Sequence, residues 1–159
     1  MFPDSKTCET FEQPPKDFHS RLDVAGVFCT HEGRFLLLQR ASNCYQPHTW
    51  GLPAGKLEKG ESPLTGAVRE LQEESGITSN PHTLFDLGCV YVRLPGFDYT
   101  THWFHLPLAT KPVVTLTEQE HQAHRWVSFK EARELPLILG AEAVFQLYER
   151  HSCKQDYQT

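Results

Sequence analysis

No apolar run in this chain approaches the roughly 20 residues needed to cross a bilayer, so no membrane-spanning helix is expected. Residues 1–20 also lack the hydrophobic stretch of a secretory leader. They hold Pro3, Pro14 and Pro15 among polar residues, which predicts a loose N-terminal arm. Cysteine is sparse and unpaired: Cys8, Cys29, Cys44, Cys89 and Cys153 are odd in number, widely spaced and without a C-x-x-C pair. That argues against a disulfide framework and a cysteine-based zinc site, and fits free thiols in a cytoplasmic protein. Positive charge is short as well. Fifteen Lys plus Arg face twenty Asp plus Glu, a net charge of −5, and no basic stripe is visible. A grip on long nucleic acid needs such a stripe. An acidic chain meets a small anionic substrate only with a cation between protein and phosphate.

What is present is enough for one domain. The chain has 159 residues, 39% hydrophobic and 22% charged, which suits a single globular unit with its own core. That unit is expected over residues 21–152, followed by a tail at residues 153–159. Repeats, low-complexity tracts and interior linkers are missing. Residues 24–30 and 34–39 are two β-rich apolar runs separated by His31-Glu32-Gly33, a hairpin with Gly33 in the turn. Residues 84–93 and 97–106 flank Leu94-Pro95-Gly96 and form a second hairpin. A short strand is expected at residues 125–128. Between the hairpins lies a helix with clear punctuation: Ser62 as cap, Pro63 in the first turn and Gly76 beyond the end. Leu64, Ala67, Val68 and Leu71 make its apolar stripe. Ser128-Phe129-Lys130-Glu131 reads as a capping box opening a short helix. Pro136 interrupts it, and a last helix runs from about residue 139 to 150. The class is α+β, with sheet and helices in layers.

The central helix breaks two local rules at one place. Glu70, Glu73 and Glu74 stand three and four residues apart, so like charges repel along the helix. Glu73 and Glu74 also occupy its last turn, where the helix dipole favours cations. Taken alone, the cluster is either a solvated acidic face partly offset by Arg69 or a hard oxygen site for Mg²⁺. Such a site would take substrate phosphates as further ligands and activate water, with a neighbouring carboxylate as general base.

Residues 55–77 read GKLEKGESPLTGAVRELQEESGI. They resemble the Nudix box, G-x₅-E-x₇-R-E-U-x-E-E-x-G-U with U aliphatic. The agreement holds at every specified position: Gly55, Glu61, Arg69, Glu70, Leu71, Glu73, Glu74, Gly76 and Ile77. At average residue usage, a chance match at one start point is on the order of one in a billion. Trp50-Gly51-Leu52-Pro53-Ala54-Gly55 resembles the W-x-x-P-G-G lead-in of MutT-like members, with Ala54 in place of a glycine. Glu120-His121 and Trp126 resemble the E-H-x-x-x-x-W segment of nucleotide-directed members.

The resemblance implies a Nudix-type α-β-α sandwich with a mixed sheet and a loop-helix-loop catalytic motif. It also implies a hydrolase that cuts phosphoanhydrides with Mg²⁺, or Mn²⁺ as a substitute. Glu70, Glu73, Glu74 and the Gly55 carbonyl would be ligands, with Glu70 doubling as base. Glu120 would be a ligand from outside the box, with Glu118 its competitor. Arg69 would orient the glutamates with help from Glu61. Lys56 and Glu58 either reach substrate and metal shell or are solvated. Arg40 either contacts substrate or ends its strand as a surface charge.

Among the histidines, His102, His105, His121 and His124 read as structural, with a place near water or phosphate as the alternative for His121. Tyr99, Trp103, Phe104 and Trp126 are core residues or base-stacking residues. The expected substrate is a small nucleotide, foremost a nucleoside triphosphate cut to monophosphate and pyrophosphate. Diadenosine polyphosphate, dihydroneopterin triphosphate and ADP-ribose or nucleotide sugars are the alternatives. A non-catalytic nucleotide-binding module is the rival class. A homodimer fits many relatives, although no stretch here identifies an interface.

Overall fold

The computed structural model describes residues 7–156. Its strands are β1 (Glu9–Phe11), β2 (Ser20–His31), β3 (Arg34–Arg40), β4 (Trp50–Gly51), β5 (Ala54–Lys56), β6 (Phe85–Leu94), β7 (Phe97–Pro107) and β8 (His121–Val127). Its helices are α1 (Pro63–Ser75), α2 (Phe129–Arg133) and α3 (Ala141–Asp156). One mixed sheet runs in the order β1-β6-β7-β2-β3-β4, with β5 on β2 and β8 on β3. The β2–β7 pairing is parallel, and the other pairings are antiparallel.

Sequence explains why this sheet is covered on both faces. Strand β3 carries the unbroken apolar run Phe35-Leu36-Leu37-Leu38, all buried. Side chains alternate across a strand, so a run without polar alternation must meet apolar partners on each side. Phe35 and Leu37 join a core with Phe28, Trp103, Val127 and Phe145 of α3. Leu36 and Leu38 join a second core with Ala67 and Leu71 of α1. The result is the expected α-β-α layering.

Both expected hairpins form. Glu32 and Gly33 turn the first at φ 49 and 74, two positive values in succession, as a tight hairpin turn requires. Helix α1 is punctuated as expected: Ser62 accepts the Thr65 N–H at 3.2 Å, and Gly76 closes the helix at φ 73. Of its expected stripe, Ala67 and Leu71 are buried, whereas Val68 is only half-buried. The strand expected at residues 125–128 begins four residues earlier, at His121.

The ends differ from expectation. The arm expected to be loose at residues 1–20 is partly sheet: β1 pairs with β6, Glu9 opposite Arg93 and Phe11 opposite Tyr91. Arg93 is the physical reason. It donates to the Asp17 carbonyl at 3.2 Å and lies over the rings of Phe11 and Phe18. It is itself held by Asp98 at 2.8 Å. Residues 1–6 of that arm lie outside the described residues. The tail expected from residue 153 is helix through Asp156, and residues 157–159 lie outside the description. Among the described residues, no helix is long and apolar enough to cross a membrane.

Candidate active site

Strand β5 lies against β2, with Gly55 opposite Ala25 and Lys56 opposite Val24. This seats the Gly55 backbone on the buried face of α1. A β-carbon at Gly55 would stand 2.2–2.4 Å from the Glu70 carboxyl atoms, so only glycine lets this carboxylate reach the strand. Glu74, one turn on, is 5% exposed and accepts the Ala54 N–H at 2.9 Å. Burial raises the Glu74 pKa well above the usual carboxylate range. The Glu70 charge adds to the shift and the Ala54 hydrogen bond opposes it. Burial likewise raises Glu70, against the pull of Arg69. Two buried carboxylates of like charge are costly without a cation between them.

Arg69 spends every guanidinium N–H on this region. Its Nε and Nη2 fork onto both oxygens of Glu61 at 2.7 and 2.8 Å. Nη1 donates to Glu70 at 2.9 Å and Glu73 at 3.1 Å, and Nη2 also reaches the Lys56 carbonyl at 3.1 Å. The Arg69 bonds, with the Glu58 backbone N–H, hold the Glu61 pKa down at about 2. The box loop and α1 are therefore tied by one side chain.

A cavity of about 430 Å³ opens beside these groups. Its polar lining comprises Arg40, Gly55, Lys56, Glu70, Glu74, Glu120 and His121, and its apolar and aromatic lining includes Val92, Tyr99, Trp103, Ile138 and Val144. Glu120 sits in the turn that leads into β8, its carbonyl accepting the Ala41 N–H at 2.9 Å. Carboxylate oxygens of Glu74 and Glu120 and a ring nitrogen of His121 all lie within 4.8 Å of one another. His121 is 5% exposed, and its Nδ1 is buried without a hydrogen-bond partner. Burial, then the Arg40 charge, pulls its pKa down to about 4, so the imidazole is neutral and able to act as a ligand. Clustered carboxylates, the exposed backbone of a glycine and an unpartnered imidazole suit a divalent cation with mixed oxygen and nitrogen donors.

The expected site residues separate accordingly. Gly55, Glu70, Glu74, Glu120, Arg40 and Lys56 meet at the cavity. Glu73 does not line it: its side chain is 57% exposed and bonded to Arg69. Glu58 is 70% exposed, 3.8 Å from Arg69, and Glu61 serves the Arg69 fork. Glu118 lines a separate depression with Val114 and Leu116. Of the four aromatics, Tyr99 and Trp103 face the cavity, while Phe104 and Trp126 pack in the α1-side core. Tyr45, Gln46 and Ile138 also line the cavity, and nothing in the sequence pattern singled them out. The one sequence signal for His121 is its place beside Glu120.

The site thus joins a mixed sheet between helices to a glutamate-bearing helix that faces the cavity. The family model described as NUDIX domain matches residues 19–148, and the chain belongs to the Nudix family. It is 34% identical to the asymmetrical bis(5'-nucleosyl)-tetraphosphatase of Sus scrofa over 122 residues, 75% of this chain and 80% of that protein. It is 33% identical to the CTP pyrophosphohydrolase of Escherichia coli K12 over 117 residues, 73% of this chain and 82% of that protein. The crystal structure of a MutT protein from Methanosarcina mazei Go1 superposes with a TM-score of 0.68 at 27% identity, covering 82% of this chain and 94% of that one.

Proposed function

We propose that this chain hydrolyses nucleoside triphosphates to monophosphate and pyrophosphate with Mg²⁺, or Mn²⁺ in its place. The observation that carries the proposal is the cavity's mixed lining. Carboxylates and two basic residues share it with aromatic and aliphatic side chains suited to a base or ribose. In this assignment Gly55, through its carbonyl, and Glu70, Glu74 and Glu120 hold the cation, with His121 beside them. Glu73 remains in the Arg69 clamp. The bound cation supplies Lewis-acid neutralisation of charge on the phosphates. Arg40 and Lys56 draw in the phosphate chain, and Tyr99 and Trp103 meet the nucleoside. Glu70, fixed through Oε1 by Arg69, takes the proton of the attacking water as oxygen adds to phosphorus and the anhydride bond breaks. Arg69 and Glu61 position Glu70 without touching substrate.

A second substrate class has a specific motive. The Glu120-His121…Trp126 segment and the 34% identity to the Sus scrofa enzyme both favour a dinucleoside tetraphosphate. The deciding experiment offers canonical and oxidised nucleoside triphosphates, diadenosine tetraphosphate and ADP-ribose with Mg²⁺, and identifies products by mass. Pyrophosphate plus monophosphate supports the first assignment, whereas ATP plus AMP from the tetraphosphate moves it to the second. Activity that survives both chelator and Glu74→Gln would refute the site.

A further inference from the structure

We propose that Cys89 is a modification site, a thiol primed by His102 and Asp23 for oxidation by hydroperoxides. These three residues lie on three neighbouring strands, on the sheet face turned away from the strand residues Val24, Val92, Thr101 and Trp103 that line the cavity. Thr101 and Trp103 line the cavity from β7, Val92 from β6 and Val24 from β2. Strand alternation therefore turns His102, Cys89 and Asp23 to the other side. Cys89 and His102 are directly opposed in the β6–β7 register, and the Cys89 Sγ stands 3.3 Å from His102 Nδ1. His102 Nε2 stands 2.9 Å from Asp23 Oδ1.

The chemistry follows from donor counting. An ionised carboxylate only accepts, so Asp23 requires a proton on Nε2. Nδ1 is then the nitrogen that exchanges a proton with the thiol. This is the arrangement of nucleophile, base and orienting acid that activates a cysteine. The Cys89 hydrogen bond foremost, with Asp23 adding to it, raises the His102 pKa to about 9 against the effect of burial.

The other thiols are placed differently. Cys29 is sealed in the core and burial pushes it up to about 12. Cys8 is raised by burial, Cys44 lies against the Gln119 and Glu120 carbonyls, and Cys153 is exposed on α3. Cys89 is half-buried, and neither cavity described above includes it. A small reactant suits this position better than an extended substrate.

In the proposed step the Cys89 thiol gives its proton to His102 Nδ1 and sulfur attacks one oxygen of the hydroperoxide. The O–O bond breaks, and the departing alkoxide or hydroxide takes the proton back from Nδ1. Sulfur loses two electrons and the peroxide gains two, leaving a sulfenic acid and an alcohol or water.

The test treats the full chain with hydrogen peroxide, traps sulfenic acid with a dimedone-type probe and measures occupancy at each cysteine by peptide mass spectrometry. Cys89 is expected to be trapped at least ~10-fold faster than Cys153, a threshold set below the roughly 10²–10⁴-fold that a positioned base contributes. Because Cys89 is the less exposed of the two, access cannot account for an excess. His102→Gln should return it to the Cys153 rate. Asp23→Asn, at a half-exposed position where folding is little at risk, should fall between the two. A Cys89 rate no higher than that of Cys153, or one unchanged in both variants, overturns the proposal. None of these outcomes depends on which nucleotide the cavity takes.

Discussion

Replacing Arg69 with alanine tests whether the box is held by one cation. The guanidinium is 21% exposed, and its partners Glu61 and Glu70 are 8% and 12% exposed. Its removal would therefore leave two nearly buried carboxylates short of a counter-charge. Breaking a buried pair costs about 3–5 kcal/mol, and the partial exposure of Arg69 places the expected loss near the lower figure, about 3 kcal/mol. At about 2–4 °C per kcal/mol for a chain of this size, Tm should fall by about 6–12 °C. Lost packing and uncompensated charge are separable. Adding Glu61→Gln to Arg69→Ala removes one of the two stranded charges but restores no contact, so charge as the main cause predicts a rise of about 1–2 kcal/mol over the single variant. Differential scanning calorimetry of wild type, Arg69→Ala, Glu61→Gln and the double variant, all metal-free, closes the cycle. A single-variant drop under ~2 °C, or a double variant no more stable than Arg69→Ala, would refute the clamp.

Two further predictions concern the cation and the arm. Gly55→Ala would press a methyl group into the Glu70 carboxyl, so Mn²⁺ affinity measured by calorimetry should fall at least ~10-fold, as when the setting of a ligand is disturbed; affinity unchanged in a folded variant would remove Glu70 from the ligand set. The Asp98 carboxyl is held below its usual pKa by the Arg93 side chain and the His19 N–H. A depressed carboxylate stabilises the fold above its unfolded pKa, and that contribution disappears as pH falls through the folded one. The Tm gap between wild type and Asp98→Asn should accordingly be widest near neutral pH and narrow as pH falls below the ordinary aspartate value of about 4. A gap that stays constant over that range would show that Asp98 acts only through packing.

The elements set by local chemistry were legible in the chain. Ser62, Pro63 and Gly76 bound α1 because caps act within a turn, and the Glu32-Gly33 turn follows from backbone geometry alone. The arm was not legible in this way. Its order depends on Arg93 meeting Asp17, 76 residues away, and no window of local sequence contains both. The same holds for the Cys89, His102 and Asp23 contacts, since strand register rather than spacing brings them together.

The acidic cluster is the instructive middle case. By charge and spacing, Glu73 and Glu74 are equivalent neighbours of Glu70, yet the structure buries one and exposes the other. The distinction was present in the helical period. Ala67 and Leu71 are the fully buried apolar residues of α1, and a stripe continued from them at i, i+3, i+4, i+7 and i+8 passes through positions 67, 70, 71, 74 and 75. All five are buried, and Glu73 falls outside the stripe. Drawing the stripe through Val68 hid this, because that residue is apolar but only half-buried. Two glutamates on a core-facing stripe cannot be a solvated face. Arg69 and the Ala54 N–H oppose the cost of that burial, and a cation would offset it further. That combination separates an active-site helix from an acidic surface helix of the same composition.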